Sequence, residues 1–167
     1  MNERLKTCCF SGHRDLPRDE IADLQVRLTT EIKKLIKNGV TRFIAGGAVG
    51  FDMMAAICVL NLKSDGFSEL HLTLALPCAH HYRKWPKADQ QMLLHLLERS
   101  DEVVFVSMEY LPGCMQKRNR YMVDRSEYLL CYHTKPSGGT AYTVDYAKKC
   151  GLTVCNVAQY RQLSLPI

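Results

Sequence analysis

The sequence contains no apolar run of the roughly 20 residues that a membrane-spanning helix requires. Its first residues, Met-Asn-Glu-Arg-Leu-Lys, also lack the apolar segment of a secretory signal peptide. Hydrophobic residues make up 47% of the chain and charged residues 23%, which is the balance of an ordinary globular protein. We therefore expect a cytoplasmic protein, and the length of 167 residues predicts a single domain over residues 1–167.

No Cys-x-x-Cys pair occurs, although the chain has eight cysteines. Cys8, Cys9, Cys131 and Cys155 lie in apolar strand-like runs, where a free thiol packs as a small hydrophobic group. The stretch Cys78-Ala79-His80-His81 brings donor side chains together, but adjacent histidines without a distant partner pair make a poor zinc site. We therefore expect neither a disulfide framework nor a metal site.

Two common phosphate-binding sequences, G-x-G-x-x-G and G-x-x-x-x-G-K-[ST], are missing as well. The charge nevertheless suits an anionic ligand, because the formal net charge is +5 and the pI is about 8.8. Lysine and arginine concentrate in residues 83–87 and 117–125, although such clusters are often solvated helix faces. The modest net charge argues against a nucleic-acid partner.

Apolar runs alternate with amphipathic segments along the chain. The predicted strands are residues 6–11, 40–45, 70–76, 102–107, 127–132 and 152–157. Helices are predicted to begin at Asp15, at Asp52, near Met92, at Gln116 and after Gly139. The strands are continuous apolar runs, which is typical of strands buried on both faces. The pattern predicts an α/β fold with a doubly wound, mainly parallel sheet and helices on both faces.

Glycine follows three of the predicted strands, in Ser11-Gly12-His13-Arg14, in Gly46-Gly47-Ala48-Val49-Gly50 and in Ser137-Gly138-Gly139-Thr140. In open parallel sheets, ligands bind beyond the carboxyl ends of the strands. Glycine lets the backbone approach a phosphate closely, and the N–H groups of the following helix point at the anion. The second turn leads to Asp52, which is either a helix cap or a contact for a ligand hydroxyl.

These turns predict a pocket for the phosphate of a nucleotide-like ligand. Arg14 and the pair Arg118-Asn119 add groups that suit forked recognition of phosphate. The candidate ligand-binding residues are Ser11, Gly12, His13, Arg14, Gly46, Gly47, Ala48, Gly50, Asp52, Pro77, Arg118, Asn119, Gly138, Gly139 and Thr140.

Together with the segment from Arg118 to Asp124, these motifs resemble the YpsA family of the SLOG superfamily of Rossmann-like domains. The likeness runs from about Cys8 to Gly151. It implies a cytosolic sensor or regulatory protein that binds a nucleotide or a nucleotide derivative such as an ADP-ribose-like compound, with no further cofactor. It makes a homo-oligomer one candidate state, since SLOG relatives often self-associate, and it implies a link to cell division or envelope functions in some Gram-positive bacteria.

The related LOG phosphoribohydrolases imply a first alternative, hydrolysis of the N-glycosidic bond of nucleoside monophosphates. Their P-G-G-x-G-T-x-x-E sequence aligns with residues 137–145, where Ala141 and Tyr142 replace glycine and threonine. Asp145 stands in place of the glutamate and has a shorter reach. In such a hydrolase Asp145 would be the acid/base or ribose-contacting group and Arg118 its electrostatic partner. The altered segment favours binding over turnover.

The DNA-processing protein DprA implies a second alternative, a single-stranded DNA binder. Its core has a similar Gly-x-Asp turn and an Arg-Asn-Arg motif like residues 118–120. Tyr121, Tyr110 and Trp85 would be the candidates for stacking on bases. The sequence leaves the base of the ligand, its number of phosphates and the oligomeric state open.

Overall fold

A computed structural model describes residues 2–158, in which strands and helices alternate. The strands are β1 (Thr7–Gly12), β2 (Arg42–Ala45), β3 (His71–Leu76), β4 (Glu102–Phe105), β5 (Tyr128–Tyr132) and β6 (Thr153–Asn156). The α-helices are α1 (Ile21–Lys37), α2 (Phe51–Ser64), α3 (Lys87–Arg99), α4 (Cys114–Asp124) and α5 (Gly139–Lys149). The single domain predicted for residues 1–167 also covers residue 1 and residues 159–167, which lie outside the described residues.

All six strands form one sheet in the order β4-β3-β2-β1-β5-β6, and every neighbouring pair is parallel. Each parallel step needs a crossover, and the helices of the alternating sequence provide it. This arrangement confirms the predicted α/β fold with a doubly wound parallel sheet.

Side chains of the central strands alternate between two separate cores. Cys8 and Phe10 of β1 pack in a core with α1, α2 and α3, whereas Cys9 packs in a second core with α4 and α5. Helices therefore cover the central strands on both faces. This double burial explains why those strands are continuous apolar runs in the sequence.

Several element boundaries differ from the predicted ones, most of them by one or two residues. Helix α1 begins at Ile21 rather than at Asp15, because Pro17 has an extended backbone with ψ of 124° and a short 3-10 turn follows it. Helix α3 begins earlier than expected, directly after Pro86. Strand β4 ends at Phe105, before the predicted end at residue 107. In the part of the chain that the structure describes, no helix is long and apolar enough to cross a membrane.

The sheet places a topological switch point between β1 and β5. From β1 the chain continues through α1 to β2 on one side, and from β5 it continues through α5 to β6 on the other side. Because α1 and α5 belong to opposite faces of the sheet, the loops that follow β1 and β5 diverge. Such divergence opens a crevice at the carboxyl ends of the two strands, where ligands bind in this class of fold.

Candidate functional site

A cleft of about 390 Å³ lies at this switch point, and we call it the switch-point cleft. Its walls come from the loop after β1, the turn before α2, the first turns of α4 and the loop before α5. The lining residues are Ser11, Gly12, His13, Arg14, Asp15, Ala48, Asp52, Met115, Arg118, Asn119, Lys135, Ser137, Gly138, Gly139 and Thr140.

The cleft brings together most of the candidate residues from all three glycine turns. Four candidates, Gly46, Gly47, Gly50 and Pro77, are not in its lining. Asp145, the acid/base of the hydrolase alternative, is exposed on α5 and is not in the lining either.

The turn between β2 and α2 is filled by the protein's own atoms. A Cβ at position 46 would lie 2.6 Å from Oδ2 of Asp52 and 2.8 Å from Nη1 of Arg118. At position 47 a Cβ would lie 2.5 Å from the Leu76 side chain, and at position 50 it would collide with the carbonyl of Arg14. The glycines of this turn are thus explained by internal packing.

The start of α2 is also occupied by groups of the chain itself. The backbone N–H of Phe51 donates a hydrogen bond of 3.2 Å to the carbonyl of His13. Asp52 in the first turn places a carboxylate at the positive end of the helix. The Phe51 N–H group is thus already bonded, and the Asp52 carboxylate already supplies a negative charge at this helix start. A phosphate bound there would have to compete with both.

The start of α5 differs from that of α2 in what surrounds its glycines. Neither helix has a side-chain cap among the described residues, and each N-cap glycine has a φ in the left-handed region, 83° at Gly50 and 106° at Gly138. Gly139 has an ordinary φ, and a Cβ there would meet nothing within 4 Å. Packing therefore does not explain the glycine at position 139, which faces a cleft with the N–H groups of the first helical turn beside it.

Arg118 extends from α4 beneath the β2–α2 turn and is only 5% exposed. Its Nη1 donates to the carbonyl of Gly46 and, at 3.4 Å, to that of Ala75. Its Nε donates to Oδ1 of Asn119 at 2.8 Å. Within the described residues Nη2 makes no hydrogen bond, so one guanidinium nitrogen remains for a bound anion.

Asp52 is 5% exposed and lies at the inner side of the cleft. Burial raises its pKa to about 6, while the Arg118 guanidinium and the Ala48 N–H act in the opposite direction. Its Oδ1 has no hydrogen-bond partner among the described residues. The desolvation of an incompletely paired carboxylate outweighs the attraction of the nearby guanidinium.

His13 presents a fixed tautomer to the cleft. Its Nε2 accepts a hydrogen bond of 2.9 Å from the backbone N–H of Thr134. Because an amide can only donate, Nε2 carries no proton and the neutral ring carries its proton on Nδ1. Burial, helped by Lys135 and His133, lowers the pKa of His13. The ring is therefore neutral at pH 7 and offers an N–H donor.

Four lining residues were missed at the sequence level: Asp15, Met115, Lys135 and Ser137. Lys135 and Ser137 lie within the three residues before the Gly138-Gly139 pair. A candidate segment extended to those three residues would therefore have included both. Met115 lies one turn before Arg118 on α4. Lys135 adds an exposed cation to the wall made by the β5–α5 loop.

Two of the three aromatic residues considered for base stacking have partners inside the protein. Trp85 packs edge-to-face on His81 with ring centroids 5.1 Å apart. The guanidinium of Arg125 lies 3.6 Å from the ring centroid of Tyr121. Tyr110 is the exposed member of the three, at 70%.

The family model YpsA, described as the YspA SLOG family, matches residues 13–159. The chain belongs to this family. The matched segment starts at His13 and includes most of the lining of the switch-point cleft.

Two bacterial proteins illustrate the similarity to individual relatives. The chain is 34% identical over 140 residues to the SPbeta prophage-derived protein YoqJ of Bacillus subtilis, covering 75% of this chain and 81% of YoqJ. It is 30% identical over 122 residues to UPF0398 protein BH1768 of Halalkalibacterium halodurans, covering 71% of this chain and 64% of BH1768. The YpsA assignment made from the motifs is therefore confirmed.

Two solved structures of DNA processing protein A share the fold. The Helicobacter pylori protein, described for its single-stranded DNA binding mode, has a TM-score of 0.62 at 16% identity, with 90% of this chain and 64% of that chain covered. The Streptococcus pneumoniae protein has a TM-score of 0.63 at 12% identity, with 99% and 63% covered. The chain thus spans less than two thirds of either protein, and the likeness shows a shared fold alone.

Proposed function

We propose that this protein binds a phosphate-bearing nucleotide or nucleotide derivative in the switch-point cleft and acts as a binding protein rather than a hydrolase. The open position of Gly139 at the start of α5 supports the proposal most directly, because this glycine lines the cleft and no packing contact explains it. A phosphate seated there would accept hydrogen bonds from the free N–H groups of the first turn.

Charge around the cleft supports an anionic ligand. Arg14 and Lys135 lie in the walls, and Arg118 supplies the spare Nη2 at the inner side. His13 adds a neutral Nδ1–H donor, which can bind a phosphate oxygen or a sugar oxygen. The combination of a helix start, cations and a neutral donor matches a ligand with both phosphate and hydroxyl groups.

Hydrolysis of an N-glycosidic bond requires an acid/base group beside the bound ligand. Asp145, the group that the LOG likeness assigns to this role, is exposed and outside the lining, whereas Asp15 and Asp52 lie in it. The position of Asp145 therefore favours binding over hydrolysis of the LOG type.

A thermal-shift screen tests the proposal with ADP-ribose, NAD and nucleoside mono-, di- and triphosphates. We expect at least one of these compounds to raise the melting temperature of the wild-type protein. Lys135→Glu reverses an exposed charge in the cleft wall and should abolish the shift. Lys33→Glu makes the same change on the exposed side of α1 and should leave the shift intact. An unchanged shift in Lys135→Glu would place the ligand elsewhere.

The same two variants distinguish nucleic acid from a small ligand. If a short single-stranded oligonucleotide binds in a salt-dependent manner that Lys135→Glu weakens, while no mononucleotide binds, the nucleic-acid alternative replaces the proposal. If no compound and no oligonucleotide binds, the proposed function is wrong.

A further inference from the structure

Strand β4 ends the sheet on one side, and no strand of the described residues pairs with its outer edge. Its outward backbone N–H and C=O groups are therefore available to another chain. Strand β6 at the opposite edge shows no exposed large apolar side chain within the described residues. The two edges of the sheet thus differ in chemistry.

Five large apolar side chains are exposed on and directly after β4, and we call them the β4 surface: Val103, Phe105, Met108, Tyr110 and Leu111. Phe105 is 52% exposed and Met108 is 90% exposed. Taking about 200 Å² for a fully exposed side chain of this size, the five together expose roughly 600 Å². Large exposed apolar area commonly marks interaction sites, and here it is concentrated in residues 103–111.

From this edge we infer that β4 is a dimerisation strand that pairs antiparallel with β4 of a second copy of the chain. A two-fold axis perpendicular to the sheet makes the pairing antiparallel and keeps both copies facing the same way. A standard interface takes about 800 Å² from each partner, and the five side chains would contribute up to roughly 600 Å² of it if pairing buried them all. The inference does not depend on the ligand proposed above.

The register of the sheet selects one pairing. Val103 and Phe105 pair with Leu74 and Leu76 of β3 and therefore share the face of the α1–α3 core. Val104 lies on the opposite face with Ala75. With the two-fold axis at Val104, each Val103 lies opposite Phe105 of the other copy, on the same face. Branched and aromatic residues are favourable cross-strand partners.

Charges are complementary in the same register. Glu102 would lie opposite Val106 of the other copy, next to Ser107, on the face that carries α4. Ser107 lines a cleft with the cationic residues Lys117 and Arg120 of α4. Glu102 forms no ion pair among the described residues of its own chain. Dimerisation would bring this carboxylate towards the two cations of the partner.

Light scattering coupled to size-exclusion chromatography tests the inference without any ligand, from about 1 to 100 μM protein. We expect a concentration-dependent dimer in the wild type. Phe105→Lys should raise the dissociation constant at least about tenfold, whereas Val26→Lys, at another exposed apolar position on α1, should not change it. Glu102→Lys should weaken the dimer, and Lys117→Glu in the same chain should restore it.

Amide hydrogen exchange gives a second measurement. We expect slower exchange in residues 102–106 at high protein concentration than at low concentration, and no such difference in Phe105→Lys. Far-UV circular dichroism checks that each variant is folded. A wild type that stays monomeric at about 100 μM, or a Phe105→Lys dimer as tight as the wild type, overturns the inference. So does a dimer without added protection in β4.

Discussion

The Asp52 carboxylate and the Arg118 guanidinium both lie against the α-carbon of Gly46. A Cβ at position 46 would lie 2.6 Å from Oδ2 of Asp52 and 2.8 Å from Nη1 of Arg118. The turn after β2, helix α2 and helix α4 thus come close together beside the switch-point cleft. Any side chain at position 46 must displace both charged groups.

Gly46→Ala should therefore destabilise the fold by about 2 kcal/mol, as overpacking of a closely packed site does. Gly139→Ala is the matched control, because its Cβ meets nothing within 4 Å and alanine favours the helix. We expect its stability to equal or slightly exceed that of the wild type. Urea unfolding of the three proteins measures both effects, and equal stability of Gly46→Ala and Gly139→Ala would contradict the packing argument.

Gly139→Ala should also lower ligand affinity by at least about tenfold while leaving the fold intact, because its methyl group occupies the space assigned to the phosphate. Isothermal titration with the compound found in the screen measures this loss. Wild-type affinity in the alanine variant would show that the phosphate does not sit at the start of α5.

Asp52→Asn tests the effect of burial on the carboxyl group. In the folded protein the pKa is raised from 3.8 to about 6, so ionisation of Asp52 opposes folding. Below about pH 4 the carboxyl is protonated in both states. As the pH rises from about 4 to about 7, the wild type should lose up to about 3 kcal/mol relative to the asparagine variant. Urea unfolding across this range measures the difference, and a pH-independent difference would refute the assignment.

His13 should titrate below the ordinary histidine value of 6.5, since burial lowers its pKa. Its contribution to stability is present at neutral pH and is lost as the pH falls through the folded pKa. Two-bond ¹H–¹⁵N NMR spectra should show the neutral tautomer with the proton on Nδ1. Lys135→Ala should raise the pKa, because it removes a positive neighbour. A proton on Nε2 at pH 7 would be incompatible with the Thr134 hydrogen bond.

Asp145→Ala separates the binding protein from the hydrolase alternative. We expect unchanged ligand affinity and no release of free base from nucleoside monophosphates by either protein, because Asp145 is exposed outside the cleft. Chromatographic detection of free base measures turnover directly. Base release by the wild type that disappears in Asp145→Ala would establish the hydrolase instead.

The sequence by itself determined the element order, the parallel sheet and the family. These depend on local signals: continuous apolar runs such as the one that became β5, helical spacing such as Leu24 and Leu28, and the glycine turns after the strands. Four of the candidate residues, His13, Asp52, Arg118 and Gly139, lie in one cleft, and their role in ligand binding stays a prediction.

Only the tertiary structure decided which glycine turn is open. In sequence, Gly46-Gly47 and Gly138-Gly139 look alike, because each pair precedes a helix. The first pair is filled by Arg118, which comes from 72 residues further along the chain, and by Leu76. The second pair faces empty space. Whether a glycine turn is filled or open depends on close packing between segments that are distant in sequence. A local sequence pattern does not contain that information.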